Sequence, residues 1–249
     1  MSVIINGDDF GMNRRCSCAI AEAMSRGLIT HTTMICTGEY FDGALRLAES
    51  GGFTDRIGVH FSLTEGVPLT ADIASVRAFV SEGRFHKGYL KDPLPLSPVE
   101  KQAVRRELSA QLERLQSAGI KVLRADSHHY IHTLEYIAPL AADVCREHGV
   151  VFVRLNRTFG TPERPAVTEG RIDNAFWKAQ GFKTTERFGR LSDVGRGNIP
   201  DNTEIMVHPD FDKDGVLIDR RGMENGFPIG YPLPDFRKDD AKLKGYAEL

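Results

Sequence analysis

The sequence lacks the features that mark exported, membrane-spanning or disulfide-bonded proteins. Its start, MSVIINGDDFGMNRR, has only a short apolar run before two acids, whereas a signal peptide needs a basic start and a longer apolar stretch. No run reaches the roughly 18 consecutive apolar residues that a membrane span needs. The four cysteines include no CxxC pair. We therefore predict a cytoplasmic protein without a membrane partner.

Cysteine is scarce, and its positions favour reduced, mostly buried thiols at Cys16, Cys18, Cys36 and Cys145. The pair Cys16 and Cys18 is a weaker candidate for a metal or redox site, since the arginines just before it disfavour a bound cation.

An excess of positive charge is also missing. The chain has 32 Lys and Arg against 34 Asp and Glu, a net charge of −2, which predicts no binding to nucleic acid or to anionic membranes. With 41% hydrophobic and 27% charged residues, the 249-residue chain can bury a full core. This length fits two small domains or one large α/β barrel.

Short apolar runs alternate with helical patterns along the chain. This alternation predicts parallel strands with outer helices, and we expect one domain, residues 1–249, folded as a distorted α/β barrel of the (β/α) type. Ser97, Pro98 and Glu100 form the clearest helix start. The predicted strands are 2–7, 28–36, 56–63, 120–125, 150–155, 183–188 and 204–207, and the predicted helices are one ending near Gly27, then 41–50, 98–118, 134–148 and 172–180.

Polar residues stand where several apolar runs stop. Since the carboxyl ends of parallel strands converge on one face, these side chains are expected to meet in one pocket. One carboxylate and two imidazoles around an ion leave positions for water and substrate, as in a catalytic metal site. The residues are Asp8, Asp9, His60, Asp126, His128 and His208.

Each of these residues also has an ordinary structural explanation. A lone Asp after a strand is usually a helix cap, and a lone His such as His60 in an apolar strand is more often a core residue. Two adjacent acids are harder to dismiss. If Asp9 binds a cation, Asp8 can stay unligated and act as a general base.

The segment 126–132, DSHHYIH, carries three of the eight histidines. His128 and His132 are four residues apart and would share one face if a helix began here, as in two-histidine metal helices. His208 is followed by Pro209, which would turn the chain out of the strand and present the imidazole as a general acid.

Four blocks occur in the order and spacing of a known family: NGDDFG (6–11), GVHFSLTEG (58–66), DSHHYIH (126–132) and EIMVHP (204–209). On these blocks the chain resembles the YdjC/ChbG family of carbohydrate deacetylases. Residues 245–249 resemble its C-terminal strand. The resemblance implies a distorted barrel related to polysaccharide deacetylases, and removal of acetyl groups from N-acetylated oligosaccharides such as those from chitin.

The resemblance also implies a divalent metal ion, with Mg²⁺ the usual choice and Zn²⁺ possible. The chain departs from the family pattern at Tyr130, where a third consecutive histidine is common, and at Gly7, where alanine is common. Neither change removes an implied ligand. The implied roles are metal ligation by Asp9, His60 and His128, base catalysis by Asp8, acid catalysis by His208, and substrate contact by Arg154 and, from the histidine cluster, His132.

Three other functions stay open: another metal-dependent hydrolase such as a phosphoesterase, a non-catalytic sugar-binding protein, and a protein with a structural metal. The aromatic, Gly-containing stretch 79–89 is expected either to cover the pocket and stack on a sugar or to be a solvated loop. The expected partner is a small carbohydrate, and a homodimer is possible.

Overall fold

The structure is a computed structural model that describes residues 2–90, 95–159, 170–194, 199–239 and 242–246. Its strands are β1 (Ser2–Phe10), β2 (His31–Met34), β3 (Ile57–Phe61), β4 (Val80–Ser81), β5 (Arg84–Phe85), β6 (Arg124–Ser127), β7 (Phe152–Val153), β8 (Arg187–Arg190), β9 (Thr203–Val207), β10 (Pro209–Phe211), β11 (Leu217–Glu224), β12 (Phe227–Pro232) and β13 (Lys242–Leu243). Its helices are α1 (Arg14–Ser25), α2 (Phe41–Gly51), α3 (Ala71–Ala74), α4 (Pro98–Ser117), α5 (Ala138–Glu147), α6 (Ala175–Ala179) and α7 (Leu191–Val194).

The main sheet is parallel and curls into an incomplete barrel. Its strands lie in the order β7, β6, β3, β2, β1, β9, β8. A single parallel bridge between Phe152 and Lys183 connects the β7 edge to the segment that leads into β8. The short β13 pairs with the start of β1 at Ser2 and Val3. The predicted α/β class and distorted barrel are confirmed.

Helix α4 shows how the sequence encodes an outer helix. The Ser97 hydroxyl accepts a hydrogen bond from the Glu100 N–H, and the Glu100 carboxylate accepts one from the Ser97 N–H, so both ends of the predicted capping box form. The apolar stripe of this helix is fully buried, which packs it against the sheet. The stripe consists of Val104, Leu108, Leu112 and Leu115.

Several predicted boundaries are wrong, and the largest error concerns the acids of the first strand. Asp8 and Asp9 were expected after the strand, but β1 continues through them to Phe10. The fourth predicted strand, 120–125, forms later, as β6, and contains Asp126. Side-chain patterns locate apolar segments, but pairing with a neighbouring strand decides which residues are extended.

Other elements are shorter or displaced. The strands predicted at 28–36, 150–155 and 183–188 form as β2, β7 and β8, and the helices predicted at 134–148 and 172–180 form as α5 and α6. Of the C-terminal strand expected at 245–249, residues 245 and 246 do not belong to a strand and residues 247–249 lie outside the described residues, while the short β13 forms just before it.

The stretch 79–89 folds as a β-hairpin of β4 and β5 followed by a 3₁₀ turn. Its aromatic side chains, Phe79, Phe85 and Tyr89, are buried in the protein rather than exposed to a ligand. The expectation that these rings stack on a sugar is therefore wrong. Their burial anchors the hairpin and leaves its polar residues, including Arg84, at the surface.

The chain leaves the barrel after β9, where Pro209 begins a three-stranded antiparallel sheet of β10, β11 and β12. The predicted turn out of the strand at this proline is confirmed. None of the helices in the described ranges has both the length and the apolar character for crossing a membrane.

The amino-terminal end of the barrel is filled by aromatic and basic side chains. The Tyr246 ring packs edge-on against His31 at 5.0 Å between ring centroids, and the Arg124 guanidinium lies 4.6 Å from the Tyr246 ring. Burial, then the charges of Arg124 and Arg56, lowers the pKa of His31 to about 2. The folded state consequently keeps this histidine neutral.

Replacing His31 by Gln is expected to make the protein less sensitive to acid. Below about pH 6.5 the unfolded chain protonates this histidine while the folded state does not, so the free energy of unfolding falls as the pH falls, by up to ~1.4 kcal/mol per pH unit. Urea unfolding should show a loss between pH 6.5 and pH 4.5 that is about 2 kcal/mol smaller in the variant. The control is His86→Gln, which changes a partly exposed histidine and should leave the pH dependence of unfolding as in the wild type. Parallel pH profiles for the His31 variant and the wild type would contradict the prediction.

Candidate functional site

Asp9 lies at the carboxyl end of β1 in a left-handed backbone conformation, φ 72°. Such a conformation is uncommon for a residue other than glycine and is found where a functional geometry requires it. The pairing of β1 with β2 shifts register between Gly7 and Phe10, around this residue. The irregularity turns the Asp9 carboxylate, which is only 1% exposed, into the mouth of the barrel.

His60 is oriented by a carboxylate on the neighbouring strand. It pairs in register with Asp126 across β3 and β6, and its Nδ1 donates to Asp126 Oδ1 at 2.6 Å. Thr33 donates its hydroxyl to the other Asp126 oxygen at 3.0 Å. The second nitrogen of His60, Nε2, lies 3.3 Å from Asp9 Oδ1. A carboxylate that fixes one ring nitrogen so that the other can bind a metal ion is common around metal sites.

His128 brings a second imidazole to the same oxygen, with its Nδ1 2.8 Å from Asp9 Oδ1. It does so without the predicted helix. The segment His128–Thr133 is a 3₁₀ turn in which His129 and Tyr130 have left-handed φ angles of 55° and 57°. The expectation that His128 and His132 share a helix face is therefore wrong, because the two left-handed residues between them interrupt the helical geometry.

His132 is buried inside the protein, only 2% exposed. Its Nδ1 lies 2.5 Å from the Ser127 hydroxyl, and its Nε2 lies 3.0 Å from the Arg154 carbonyl oxygen. Both ring nitrogens therefore have partners within the chain. The structure places this side chain behind the turn that carries His128.

The side chain of Asp8 faces the interior of the barrel, away from the outer helices. There it contacts the buried side chain of Arg154. Arg154 donates from Nη1 to Asp8 Oδ2 at 2.6 Å and from Nη2 to Asp8 Oδ1 at 2.8 Å. Asn6 donates its amide to Asp8 Oδ1 at 2.7 Å. Such a two-pronged pair restricts the rotation of the carboxylate.

The same guanidinium reaches two further acids. Arg154 Nη2 lies 2.7 Å from Asp126 Oδ2, and Nε donates to Glu204 Oε1 at 2.6 Å. All of its donor nitrogens are thus used inside the barrel, where its side chain is 1% exposed. Arg154 is therefore held beneath the group of Asp9, His60 and His128. Its three ion pairs join β1, β6 and β9 to the end of β7.

Acids outnumber permanent cations at this buried site. Burial raises the pKa of Asp9, but His128 and His60 more than offset it and hold that pKa well below its usual value. Burial lowers the pKa of His60, but Asp126, Asp8 and Asp9 together raise it to about 10. A proton on His60 thus balances part of the negative charge.

The donor set fits a divalent cation. Asp9 Oδ1 is buried and accepts no hydrogen bond of acceptable geometry, although two imidazole nitrogens lie close to it. The ligand atoms of Asp9, His60 and His128 all lie within 4.8 Å of one another. The predicted convergence of these three residues is therefore present. Since a coordinating histidine must be neutral, a bound cation would take the place of the His60 proton.

His208 lies at the end of β9, beside the same mouth, and is half-buried. Its backbone N–H donates to Asp219 Oδ1 of β11 at 2.7 Å. Its charge helps to lower the pKa of Asp9, which places the two side chains within electrostatic reach. Arg220 lies close by, with Nη2 3.4 Å from Asp9 Oδ2.

The sequence signals were incomplete for the residues that support this site. The sequence places Asp126 at the expected pocket but gives it no role, and Glu204 stands only within a family block. An arginine inside the apolar run VVFVRL was a usable signal, because a buried arginine requires acidic partners. Nothing in the local pattern identifies Asn6 or Thr33, whose partners lie far away along the chain.

The cysteines take no part in the donor set. All four are free thiols. Burial raises the pKa of Cys16 to about 12, so this thiol stays protonated beneath Asp9, whose backbone oxygen lies 3.3 Å from its Sγ. Within the described part of the chain, the groups able to hold a metal contain only Asp and His.

The chain resembles known proteins over most of its length. The chain is 33% identical over 226 residues to a carbohydrate deacetylase of Brevibacillus brevis, covering 87% of this chain and 84% of the relative. It is 32% identical over 213 residues to carbohydrate deacetylase 1 of Listeria innocua, covering 84% and 81%.

One solved structure shows the fold at full length. A putative cellobiose-phosphate cleavage protein of Enterococcus faecalis V583 superposes with a TM-score of 0.70 at 22% identity, covering 99% of this chain and 98% of that one. The model of the family described as YdjC-like protein matches residues 2–238. The chain therefore belongs to the YdjC-like family.

Proposed function

We propose that the protein is a metal-dependent carbohydrate deacetylase that hydrolyses the acetamide of an N-acetylated sugar. The observation that carries this proposal is the convergence of Asp9, His60 and His128 beside Asp8, whose Oδ2 lies 4.0 Å from His60 Nε2. The names of the two bacterial relatives support the substrate class. We assign the activity to one domain comprising residues 1–249.

Asp9, His60 and His128 would hold the divalent cation. When bound, such a cation supplies Lewis-acid polarisation of the amide carbonyl and of water. Two imidazoles and one carboxylate are a donor set that suits Zn²⁺, whereas Mg²⁺, the ion implied by the family resemblance, prefers oxygen ligands. We therefore place Zn²⁺ beside Mg²⁺ as the ions to test first.

Asp8 is the proposed general base. Its Oδ1 accepts two hydrogen bonds, from Asn6 and Arg154, but its Oδ2 accepts only one. A carboxylate oxygen has two lone pairs, so Oδ2 keeps one for the proton of an attacking water. This is also the oxygen nearer to His60 Nε2.

His208 is the proposed general acid. Amide hydrolysis needs a proton on the departing nitrogen, because an amine leaves readily only when protonated. Histidine carries a proton near neutral pH with little adjustment, and a positioned acid or base contributes about 10²- to 10⁴-fold. The hydrogen bond from its backbone to Asp219 holds it beside the mouth.

For Arg154 and His132 we propose positioning roles in place of the substrate contact expected from the sequence. Arg154 fixes the direction of the Asp8 carboxylate, and His132 braces the turn that presents His128. Neither side chain has a free donor directed to the pocket, since their ring and guanidinium nitrogens bond within the protein.

Loss of metal is expected when the donor set is changed. His128→Ala removes one of three ligands and should lose most of its metal on dialysis. Asp126→Asn keeps all three ligands but weakens the hold on His60, so its affinity should fall about 10- to 100-fold. Metal content after loading with Zn²⁺ or Mg²⁺, measured by atomic emission, checks both. The control His129→Asn removes a neighbouring imidazole at a left-handed position that asparagine tolerates. Full metal content in His128→Ala would refute the ligand assignment.

Acetate release should fail without loss of metal when the proton-transfer groups are removed. Asp8→Asn and His208→Ala are each expected to lower kcat about 10²- to 10⁴-fold on an N-acetylated oligosaccharide, because each removes one proton transfer. Free acetate, metal content and melting temperature are measured on the same preparations. Wild-type protein that releases phosphate from sugar phosphates, but no acetate from any N-acetylated sugar, would favour a phosphoesterase instead.

A further inference from the structure

A cavity opens on the face of the barrel that carries the candidate metal site. It has a volume of about 280 Å³, near the lower end of the ~300–1,000 Å³ range of small-ligand pockets. This size suits a single sugar ring. Its lining comes from the loops after β1, β2 and β3 and from the hairpin of β4 and β5, and consists of Met12, Asn13, Gly38, Glu39, Glu65, Gly66 and Arg84.

The cavity adjoins the metal site through short connections. The Met12 N–H donates to the Asp9 carbonyl at 3.1 Å, a four-residue turn that keeps the two Cα atoms within about 7 Å. On the other side, the Thr64 hydroxyl lies 2.9 Å from Nδ1 of His129, the neighbour of His128, and Thr64 directly precedes Glu65. A ligand in the cavity would therefore lie next to one at the metal site.

The floor of the cavity is preformed by closely packed backbone. A Cβ atom at Gly38 would lie 2.2 Å from the Gly11 carbonyl oxygen, and one at Gly66 would lie 2.1 Å from the Thr37 carbonyl oxygen. Only glycine fits either position. The Val67 N–H donates to Thr37 at 3.0 Å and closes the same corner. Such a floor needs little ordering when a ligand binds.

The polar groups of the cavity are free to bind. Glu39, Glu65 and Arg84 are exposed, and among the described residues their side chains form no hydrogen bond or ion pair. Asn13 caps α1 with its side-chain oxygen, which accepts from Cys16 N. Its amide N–H₂ therefore stays available as a donor.

The balance of these groups points to a ligand that carries a positive charge and hydroxyls. Two carboxylates face one guanidinium, so the cavity has an excess of negative charge. Arg84 and Asn13 supply donors for hydroxyl oxygens, and Glu39 and Glu65 supply acceptors for hydroxyl and ammonium protons. A neutral sugar would use the hydroxyl contacts alone, whereas an aminosugar with a free amine would use both.

We propose that this cavity is a subsite for a hexosamine with a free amino group, the unit next to the N-acetylated sugar at the metal site. The inference rests on the proposed deacetylase function and narrows its substrate class to partially deacetylated oligosaccharides. A reaction that removes an acetyl group from one unit of a fully acetylated oligosaccharide would supply such a substrate.

Binding of glucosamine, measured by titration calorimetry with glucose as the comparison sugar, tests the subsite without any turnover. Wild-type protein should bind glucosamine more tightly than glucose. The double variant Glu39→Gln and Glu65→Gln keeps the shape of the cavity but removes its negative charge, and its affinity for glucosamine should fall at least about tenfold. The control Glu82→Gln, on the same hairpin but outside the lining, should bind as the wild type does.

The outcomes separate the subsite from the deacetylase reaction. Equal affinity of wild type and double variant for glucosamine, or no preference for glucosamine over glucose, would overturn the subsite even if acetate is released. Glucosamine binding that depends on Glu39 and Glu65 would support the subsite, and failure of acetate release from every N-acetylated sugar would then count against the reaction alone.

Discussion

The buried guanidinium of Arg154 joins four strands inside the barrel. Arg154 pairs with Asp8, Asp126 and Glu204 at 2.6–2.8 Å, in a region from which water is excluded. A buried charge of this kind is tolerated only when its partners satisfy it, and removal of one partner leaves an uncompensated charge at a cost of about 3–5 kcal/mol. The three acids, on β1, β6 and β9, are therefore held by ion pairs to Arg154 at the end of β7. These ion pairs fix the geometry of the site.

Two of those acids link this structural charge network to the chemistry. Asp8 presents its less occupied oxygen towards the metal donors because Arg154 and Asn6 hold the rest of the carboxylate. Asp126 passes the same constraint to His60 through a 2.6 Å hydrogen bond. One arginine thus orients both Asp8, the proposed proton acceptor, and His60, a proposed metal ligand, which fixes their positions relative to each other.

Backbone strain completes the arrangement. Asp9, His129 and Tyr130 have left-handed φ angles, which cost of order 1–3 kcal/mol each and persist only where surrounding contacts enforce them. They lie at the ends of β1 and β6, where the chain must leave the sheet and still direct a side chain to the mouth. The adjacent cavity depends on close backbone packing in the same loops, at Gly38 and Gly66.

Much of the fold was predictable because apolar periodicity and caps act locally. The helix of the 98–118 region, with its capping box, and the alternation of strands with helices along the chain follow from residues within a few positions of one another. The convergence of Asp9, His60 and His128 was also predictable, since strand ends in parallel sheets converge on one face. Boundaries such as that of β6 were not, because pairing partners lie far away along the chain.

Local sequence by itself determined which residues can bind a cation and that they lie at strand ends. Only the tertiary structure decided that Arg154 is buried under the site, that His132 turns away from His128, and that the aromatic rings of 79–89 point inward. The physical reason is that burial and pairing of charges depend on contacts between distant strands, and no local pattern of residues records those contacts.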